Sequence, residues 1–69
     1  MTPLADQIRR LRRRRGWSTR VLAKVAGMSQ PRIVDLEQGH NVNPKLDMLA
    51  RIAAALGAEL TVRIVQRRT

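Results

Sequence analysis

The segment KVAGMSQPRIVDLEQG, residues 24–39, constrains the fold most strongly because it breaks a helix and restarts it at once. Gly27 suits the left-handed residue that ends a helix, and Ser29 suits the N-cap of the next helix. Pro31 then falls in a first helical turn, where its missing N–H costs little. The pattern predicts two short helices joined by a tight turn, and the later helix ends at Gly39.

Apolar spacing predicts one more helix on each side of this pair, in a chain of 69 residues that can form one small domain. The first helix covers about residues 3–15, with Thr2 as its cap, Pro3 in its first position and Gly16 after its end. Ser18 caps the second helix, and Gly57 ends the fourth. The residues predicted to face inward are Leu4, Ile8 and Leu11, then Leu22, Val25 and Ala26, then Ile33 and Leu36, and finally Leu46, Leu49, Ile52, Ala53 and Leu56.

After Gly57 the sequence AELTVRIVQ alternates with the period of a strand. A lone strand leaves its backbone N–H and C=O groups unpaired, so we expect a second copy to pair with it as an antiparallel ribbon in a homodimer. A fifth helix or a frayed tail is the alternative. The expected organisation is a mainly α domain over residues 1–57, then a dimerisation strand and tail over residues 58–69. The strand residues are Leu60, Val62 and Ile64 on one face, and Thr61, Arg63 and Val65 on the other.

Charge in this chain is one-sided, with 14 Lys and Arg against 5 Asp and Glu and a net charge of +9. Most of the cations are Arg, whose planar fork matches phosphate, so we expect a polyanionic partner, nucleic acid before an anionic membrane. The sequence has no Cys, no stretch long enough to span a bilayer and no secretory h-region. We expect a cytoplasmic protein that is not an enzyme and uses neither metal nor cofactor, because five scattered carboxylates and one His offer no catalytic constellation.

The second and third predicted helices together have the form of a helix-turn-helix unit. Gly27 supplies the positive φ that the turn requires, and the small Ala23, one turn earlier, allows the two helices to cross closely. The buried side of such a unit needs apolar residues, and this chain has them at Leu22, Ala26, Met28, Ile33 and Leu36.

Two segments, LRRRRGWSTRVLAKVAGMSQPRIVDLEQG and NPKLDMLARIAAALG, resemble the Cro/repressor-type (Xre) helix-turn-helix domain, which has a lambda-repressor-like four-helix fold. The resemblance covers about residues 8–57. Thr19 stands where the family usually has Gln, and Lys45 stands where Ser or Thr is frequent. The resemblance implies that the third helix enters the DNA major groove and reads base edges from its N-terminal turns.

Mapped onto this sequence, the base-reading positions implied by the resemblance are Gln30, Pro31, Arg32, Val34 and Asp35. Gln30 can bond an adenine edge and Arg32 a guanine edge, whereas Asp35 can accept from cytosine or simply pair with Arg32 on the helix surface. A solvated helix face is the alternative for Gln30 and Arg32. Helix starts and the loop after the third helix suit phosphate contacts. The residues there are Thr19, Arg20, Ser29, His40, Asn41 and Lys45.

The arginine run RRLRRRR has more than one predicted role. Arg12 lies at the edge of the buried stripe and needs a carboxylate, for which Glu37 is the candidate; in the resembled family this pair is a recurrent structural bridge. The other arginines form a solvated face that attracts DNA over a distance. They are Arg9, Arg10, Arg13, Arg14 and Arg15. Trp17 is expected to fill the core at the corner between the first two helices rather than to stack on bases.

The C-terminal segment LGAELTVRIV resembles the strand added to this domain in antitoxins that partner HipA-like kinase toxins. The resemblance implies a dimeric repressor that binds a palindromic operator, regulates its own operon and contacts a toxin. Two alternatives stay open. One is a stand-alone phage-type repressor or restriction-modification controller without a toxin, and the other is a basic RNA-binding or membrane-surface module.

Overall fold

The computed structural model describes residues 4–40, 44–62, 64 and 66, and four helices lie in that part of the chain. They are α1 (Leu4–Arg14), α2 (Thr19–Ala26), α3 (Gln30–Glu37) and α4 (Leu46–Ala55). The mainly α fold and the four helices are therefore confirmed. Thr2 and Pro3, expected to start α1, lie outside the described residues.

The helix boundaries follow from capping chemistry. Ser18 has extended backbone angles, and its hydroxyl accepts the backbone N–H of Val21 at 3.2 Å, so it caps α2 as predicted. Glycines with positive φ follow each of the four helices, at Gly16, Gly27, Gly39 and Gly57. Each of these helices therefore ends where a residue without a Cβ can enter the left-handed region.

The core lies where α2 packs against α3 and α4, and α1 closes it from the side of α3. Its most deeply buried side chains are Leu22, Ile33 and Ile52, one from each of three helices. The other buried apolar residues are Ile8, Ala23, Ala26, Leu36, Met48, Leu49 and Leu56. Leu11, Trp17, Met28, Ala55 and Leu60 pack against this cluster while partly exposed.

Three residues predicted to face inward do not. Leu4, Val25 and Leu46 are exposed, and in α2 and α4 the buried positions are Ala23 and Met48 instead. In α2 the contacts with α3 and α4 fall on the side of Leu22, Ala23 and Ala26, which turns Val25 toward solvent. The prediction was wrong at these three sites because a short helix fits more than one apolar stripe, and the neighbouring helices decide which stripe is buried.

The chain leaves α4 through Leu56 and Gly57, and the Ala58 N–H donates to the Ala53 carbonyl at 2.8 Å. Leu60 then packs against the core, whereas Val62 is 62% exposed and Ile64 is 99% exposed. Residues 58–62, 64 and 66 contain no assigned strand, and the predicted strand positions Arg63 and Val65 lie outside the described residues. The expected strand needs a partner chain to pair with, so it stays a prediction. No helix in the described part of the chain is long and apolar enough to cross a membrane.

Candidate nucleic-acid interface

The turn between α2 and α3 is built on Gly27, which has φ 70° and ψ 37°. The N–H of Gly27 donates to the Lys24 carbonyl at 3.3 Å, and the N–H of Met28 donates to the Ala23 carbonyl at 2.8 Å. These two bonds form a Schellman motif, which ends α2 and reverses the chain within three residues. Leu22 and Ile33 are fully buried behind the turn, so α3 is held rigidly and its opposite side faces solvent.

The exposed side of α3 carries the residues predicted to read bases. Gln30, Pro31, Arg32 and Asp35 are exposed, and Val34 is half-buried. The Gln30 side-chain amide donates to the Thr19 hydroxyl at 3.0 Å, which joins the first residue of α3 to the first residue of α2. This bond leaves the Gln30 carbonyl oxygen to accept and its second N–H to donate, which is the pair of groups that an adenine edge requires.

Ser29 occupies the N-cap position of α3, but its hydroxyl makes no capping hydrogen bond. An N-cap side chain normally accepts from the second or third helical N–H, and Pro31 has no N–H at the second position. Lys45 occupies the N-cap of α4 without capping it, because an ammonium group cannot accept a hydrogen bond. Both side chains therefore stand at helix N-termini without a capping bond to their own helix.

A polar cleft opens between the start of α3 and the start of α4, with a volume of about 590 Å³. Arg32, Lys45 and Arg51 bring three positive charges to it, against the single carboxylate of Asp47. The Arg32 guanidinium leans toward α4, with Nη1 at 3.9 Å from the Met48 sulfur. Sequence reasoning missed Arg51, and the available signal was its position one helical turn after Asp47, at i, i+4.

Asp35 and His40 form a pair at the C-terminal end of α3. His40 Nδ1 lies 3.8 Å from Asp35 Oδ1, and the His40 N–H donates to the Asp35 carbonyl at 2.9 Å. The predicted alternative was a pair between Asp35 and Arg32, whose guanidinium lies toward Met48 instead. Asn41, the next predicted phosphate contact, lies outside the described residues.

Arg12 and Glu37 form a two-pronged ion pair that joins α1 to the end of α3. Arg12 Nε donates to Glu37 Oε2 at 2.6 Å and Nη2 donates to Oε1 at 2.8 Å, while Nη1 donates to the Trp17 carbonyl at 2.8 Å. The Glu37 side chain is 6% exposed and that of Arg12 is 12% exposed. The Glu37 hydrogen bond raises the pKa of the Arg12 guanidinium, against a lowering effect of burial, so Arg12 stays charged.

The remaining arginines of the run are not one solvated face. Arg9 donates to the Glu37 backbone carbonyl and lies 3.7 Å from Asp6, so it also ties α1 to α3. Arg15 donates to the Leu56 carbonyl, just after α4, and lies over the Trp17 ring. Arg10, Arg13 and Arg14 are exposed, and Arg13 borders a concavity that Thr19 and Val34 also line.

The concavity beside Arg13 places a cation of α1 on the same side of the domain as the start of α2 and the exposed side of α3. Arg20 is exposed in the first turn of α2. The structure thus brings Thr19, Gln30, Val34 and Arg13 onto one continuous surface. The cleft of Arg32, Lys45 and Arg51 borders the other end of α3. Such a surface has the positive charge to attract a polyanion along α3.

Comparison with known proteins also identifies a helix-turn-helix domain in this chain. A family described as a helix-turn-helix domain matches residues 3–63. The chain is also similar to the HTH-type transcriptional regulator SlrR of Bacillus subtilis (strain 168), with 37% identity over 54 residues. That alignment covers 78% of this chain and 36% of SlrR, so the chain spans about a third of the length of that relative.

Proposed function

The chain belongs to the helix-turn-helix domain family, and from this premise we propose that it is a sequence-specific DNA-binding transcriptional repressor that acts as a homodimer. The observation that carries the proposal is the exposed side of α3, held against a buried core and joined to α2 through the bond between Gln30 and Thr19. A rigid helix with polar groups on its outer side is the form in which proteins read the major groove.

The roles of the individual residues follow from this placement. Gln30, Arg32 and Asp35 read base edges, Val34 contacts a thymine methyl group, and Pro31 fills space at the groove wall. Phosphates are held on both sides of α3 by cations and helix starts. One side has Thr19, Arg20 and Arg13, and the other has Ser29, Lys45 and Arg51. His40 and Asn41, in the loop after α3, are proposed as further phosphate contacts.

Dimerisation is proposed through the C-terminal segment. Val62 and Ile64 are apolar and exposed, although Leu60 of the same segment already packs on the core. A second copy covers these side chains and pairs the backbone groups in a two-stranded ribbon. Two-fold symmetry then predicts a palindromic operator whose half-sites lie about 34 Å apart, one turn of DNA.

We further propose that the repressor is the antitoxin of a toxin–antitoxin pair, controls its own operon and binds its toxin. The support is the resemblance of LGAELTVRIV to the strand of antitoxins that partner kinase toxins. SlrR, by its name, is a transcriptional regulator, which supports the regulatory part of the proposal and says nothing of a toxin. A stand-alone repressor is the alternative, and a tagged pull-down from the native host separates the two.

In that pull-down, recovery of the protein's own promoter together with a stoichiometric protein encoded next to it supports the antitoxin. Recovery of the promoter alone supports the stand-alone repressor. Recovery of RNA or lipid without specific DNA would refute both.

The DNA-reading proposal is tested by selecting the preferred site from random duplex DNA and then comparing two variants on it. Gln30→Ala removes a base contact, so it should lower discrimination at one base pair by about 1–3 kcal/mol. Lys45→Ala removes a phosphate contact, so it should weaken all sequences alike and reduce the slope of log K against log salt by about 1. If no sequence is enriched, or if both variants lose affinity in the same uniform way, base reading by α3 is refuted.

A further inference from the structure

Arg15, the last residue of the arginine run, makes a set of contacts different from those of its neighbours. Its Nε donates to the Leu56 carbonyl at 3.1 Å, directly after α4. Its guanidinium carbon lies 5.1 Å from the centroid of the Trp17 ring. A Cβ placed on Gly57 would lie 2.5 Å from Arg15 Nη2, so the guanidinium is seated directly on this glycine.

Arg15 stabilises the end of α4 in two ways, and Trp17 in turn holds its guanidinium there. The last carbonyls of a helix lack partners within the helix, and the helix dipole places partial negative charge there. Arg15 supplies a hydrogen bond and a full positive charge to that end, and the Trp17 ring adds a cation–π contact. Gly57 serves both as the positive-φ residue, at 69°, and as the open space into which the guanidinium fits.

The contacts also join two parts of the molecule that are far apart in sequence. Trp17 lies at the corner from which α2 starts, one residue before the Ser18 cap. Leu56 and Gly57 lie where the chain leaves α4 for the C-terminal segment. One guanidinium thus bridges the start of the reading unit and the base of the segment that carries Leu60, Val62 and Ile64.

We propose that Arg15 is a positioning residue that fixes the direction in which the C-terminal segment leaves the DNA-reading unit. Through the dimer, that direction sets the distance between the two reading helices. Arg15 thereby determines which half-site spacing the protein prefers, without contacting DNA itself. The inference rests on the proposed function, because it requires DNA reading by α3 and dimerisation through the C-terminal segment.

The test measures affinity for DNA duplexes built from the selected site. One duplex carries a single half-site, and the others carry two half-sites with the spacing changed in steps of one base pair. The variants are Arg15→Gln, Arg15→Lys and Arg14→Gln, the last being a control that removes the same charge from the adjacent exposed residue. Melting temperatures measured at one protein concentration report folding of each variant.

Wild-type protein and the Arg14→Gln control should prefer one spacing by about tenfold or more, since a misplaced second half-site forfeits its contacts. Arg15→Gln should bind the single half-site within about twofold of the control and lose most of the spacing preference. Arg15→Lys should recover part of it, because an ammonium keeps the charge at the end of α4 but not the planar fork.

If Arg15→Gln keeps the wild-type spacing preference, the positioning role is refuted while the proposed function stands. If it loses half-site and full-site affinity equally, Arg15 acts on stability alone and the inference is again wrong. If the wild-type chain itself has no selected site or no preferred spacing, the proposed function fails, and that outcome is visible before any variant is compared.

Discussion

Replacing Glu37 with Gln should destabilise the domain more than any other change of one charge among the ion pairs described above. Gln keeps the size of the side chain but cannot accept two charge-assisted bonds from Arg12, whose Nε and Nη2 lie at 2.6 and 2.8 Å. Removing one partner of a buried ion pair costs about 3–5 kcal/mol because the other charge stays buried without compensation. Arg12 is 12% exposed, so water reaches part of it, and we expect a loss near 3 kcal/mol.

For a domain of this size, each kcal/mol lowers the melting temperature by about 4–8 °C, so Glu37→Gln should lower it by roughly 12–24 °C. Thermal unfolding followed by circular dichroism at one fixed protein concentration measures this shift. Asp6→Asn is the matched control, because Asp6 lies 3.7 Å from Arg9 but is half exposed. That control should change stability by less than about 1 kcal/mol.

A Glu37→Gln protein within about 1 kcal/mol of the wild type would show that water already screens the pair and that the bridge does not hold α1 to α3. Equal losses of stability in Glu37→Gln and Asp6→Asn would lead to the same conclusion. The double variant Arg12→Met with Glu37→Leu distinguishes the free-energy cost of leaving one buried charge unpaired from the net contribution of the ion pair to stability. It should recover much of the stability, because neither charge is then left buried.

Three further predictions concern the chain end and the surface of α3. Gly57→Ala and Gly39→Ala both place a side chain at positive φ, at a cost of about 1–2 kcal/mol each. Only at Gly57 would the new methyl group meet Arg15, so Gly57→Ala should be more destabilising in denaturant titrations, and the excess should vanish in an Arg15→Gln background. Deleting residues 58–69 should weaken binding to the full operator more than one phosphate-contact substitution does, and equal affinity of full-length and truncated protein would disprove dimerisation through that segment. Asp35→Asn should raise affinity for unrelated DNA while lowering discrimination at one base pair, and unchanged specificity in a competition assay would remove Asp35 from the reading set.

The parts of the fold that sequence predicted well are those that depend on a few adjacent residues. Ser18 caps α2, Gly27 reverses the chain, and Gly57 has positive φ after α4, because each depends on local backbone preferences. The choice of buried stripe was less predictable. Val25 and Leu46 are as apolar as the residues that are buried, and only the position of the neighbouring helices excludes them from the core.

The candidate site likewise has parts that the sequence predicted and parts that it did not. Sequence located the exposed side of α3, since that side is what remains when Ile33 and Leu36 face inward. The sequence did not distinguish the structural arginines of α1 and its end from the solvated ones. Their roles differ only through contacts with residues 28 to 41 positions away in the sequence. Arg9 meets the Glu37 carbonyl and Arg15 meets the Leu56 carbonyl, and helical spacing in α1 alone encodes neither contact.

If α3 reads bases as proposed, the placement of the acidic residues favours discrimination among DNA sequences over adhesion to any polyanion. Glu37 is buried against Arg12, Asp6 lies beside Arg9, and Asp47 accepts the Met48 N–H at 2.9 Å, so these three carboxylates are engaged within the domain. Asp35 is exposed on the outer side of α3, and the residue paired with it there, His40, is exposed as well. A carboxylate there repels every phosphate and is favourable only opposite a base that donates a hydrogen bond, so it penalises wrong sequences more than it strengthens the right one. A chain with a net charge of +9 gains nonspecific affinity easily, and under the proposed function Asp35 restricts where this affinity is used.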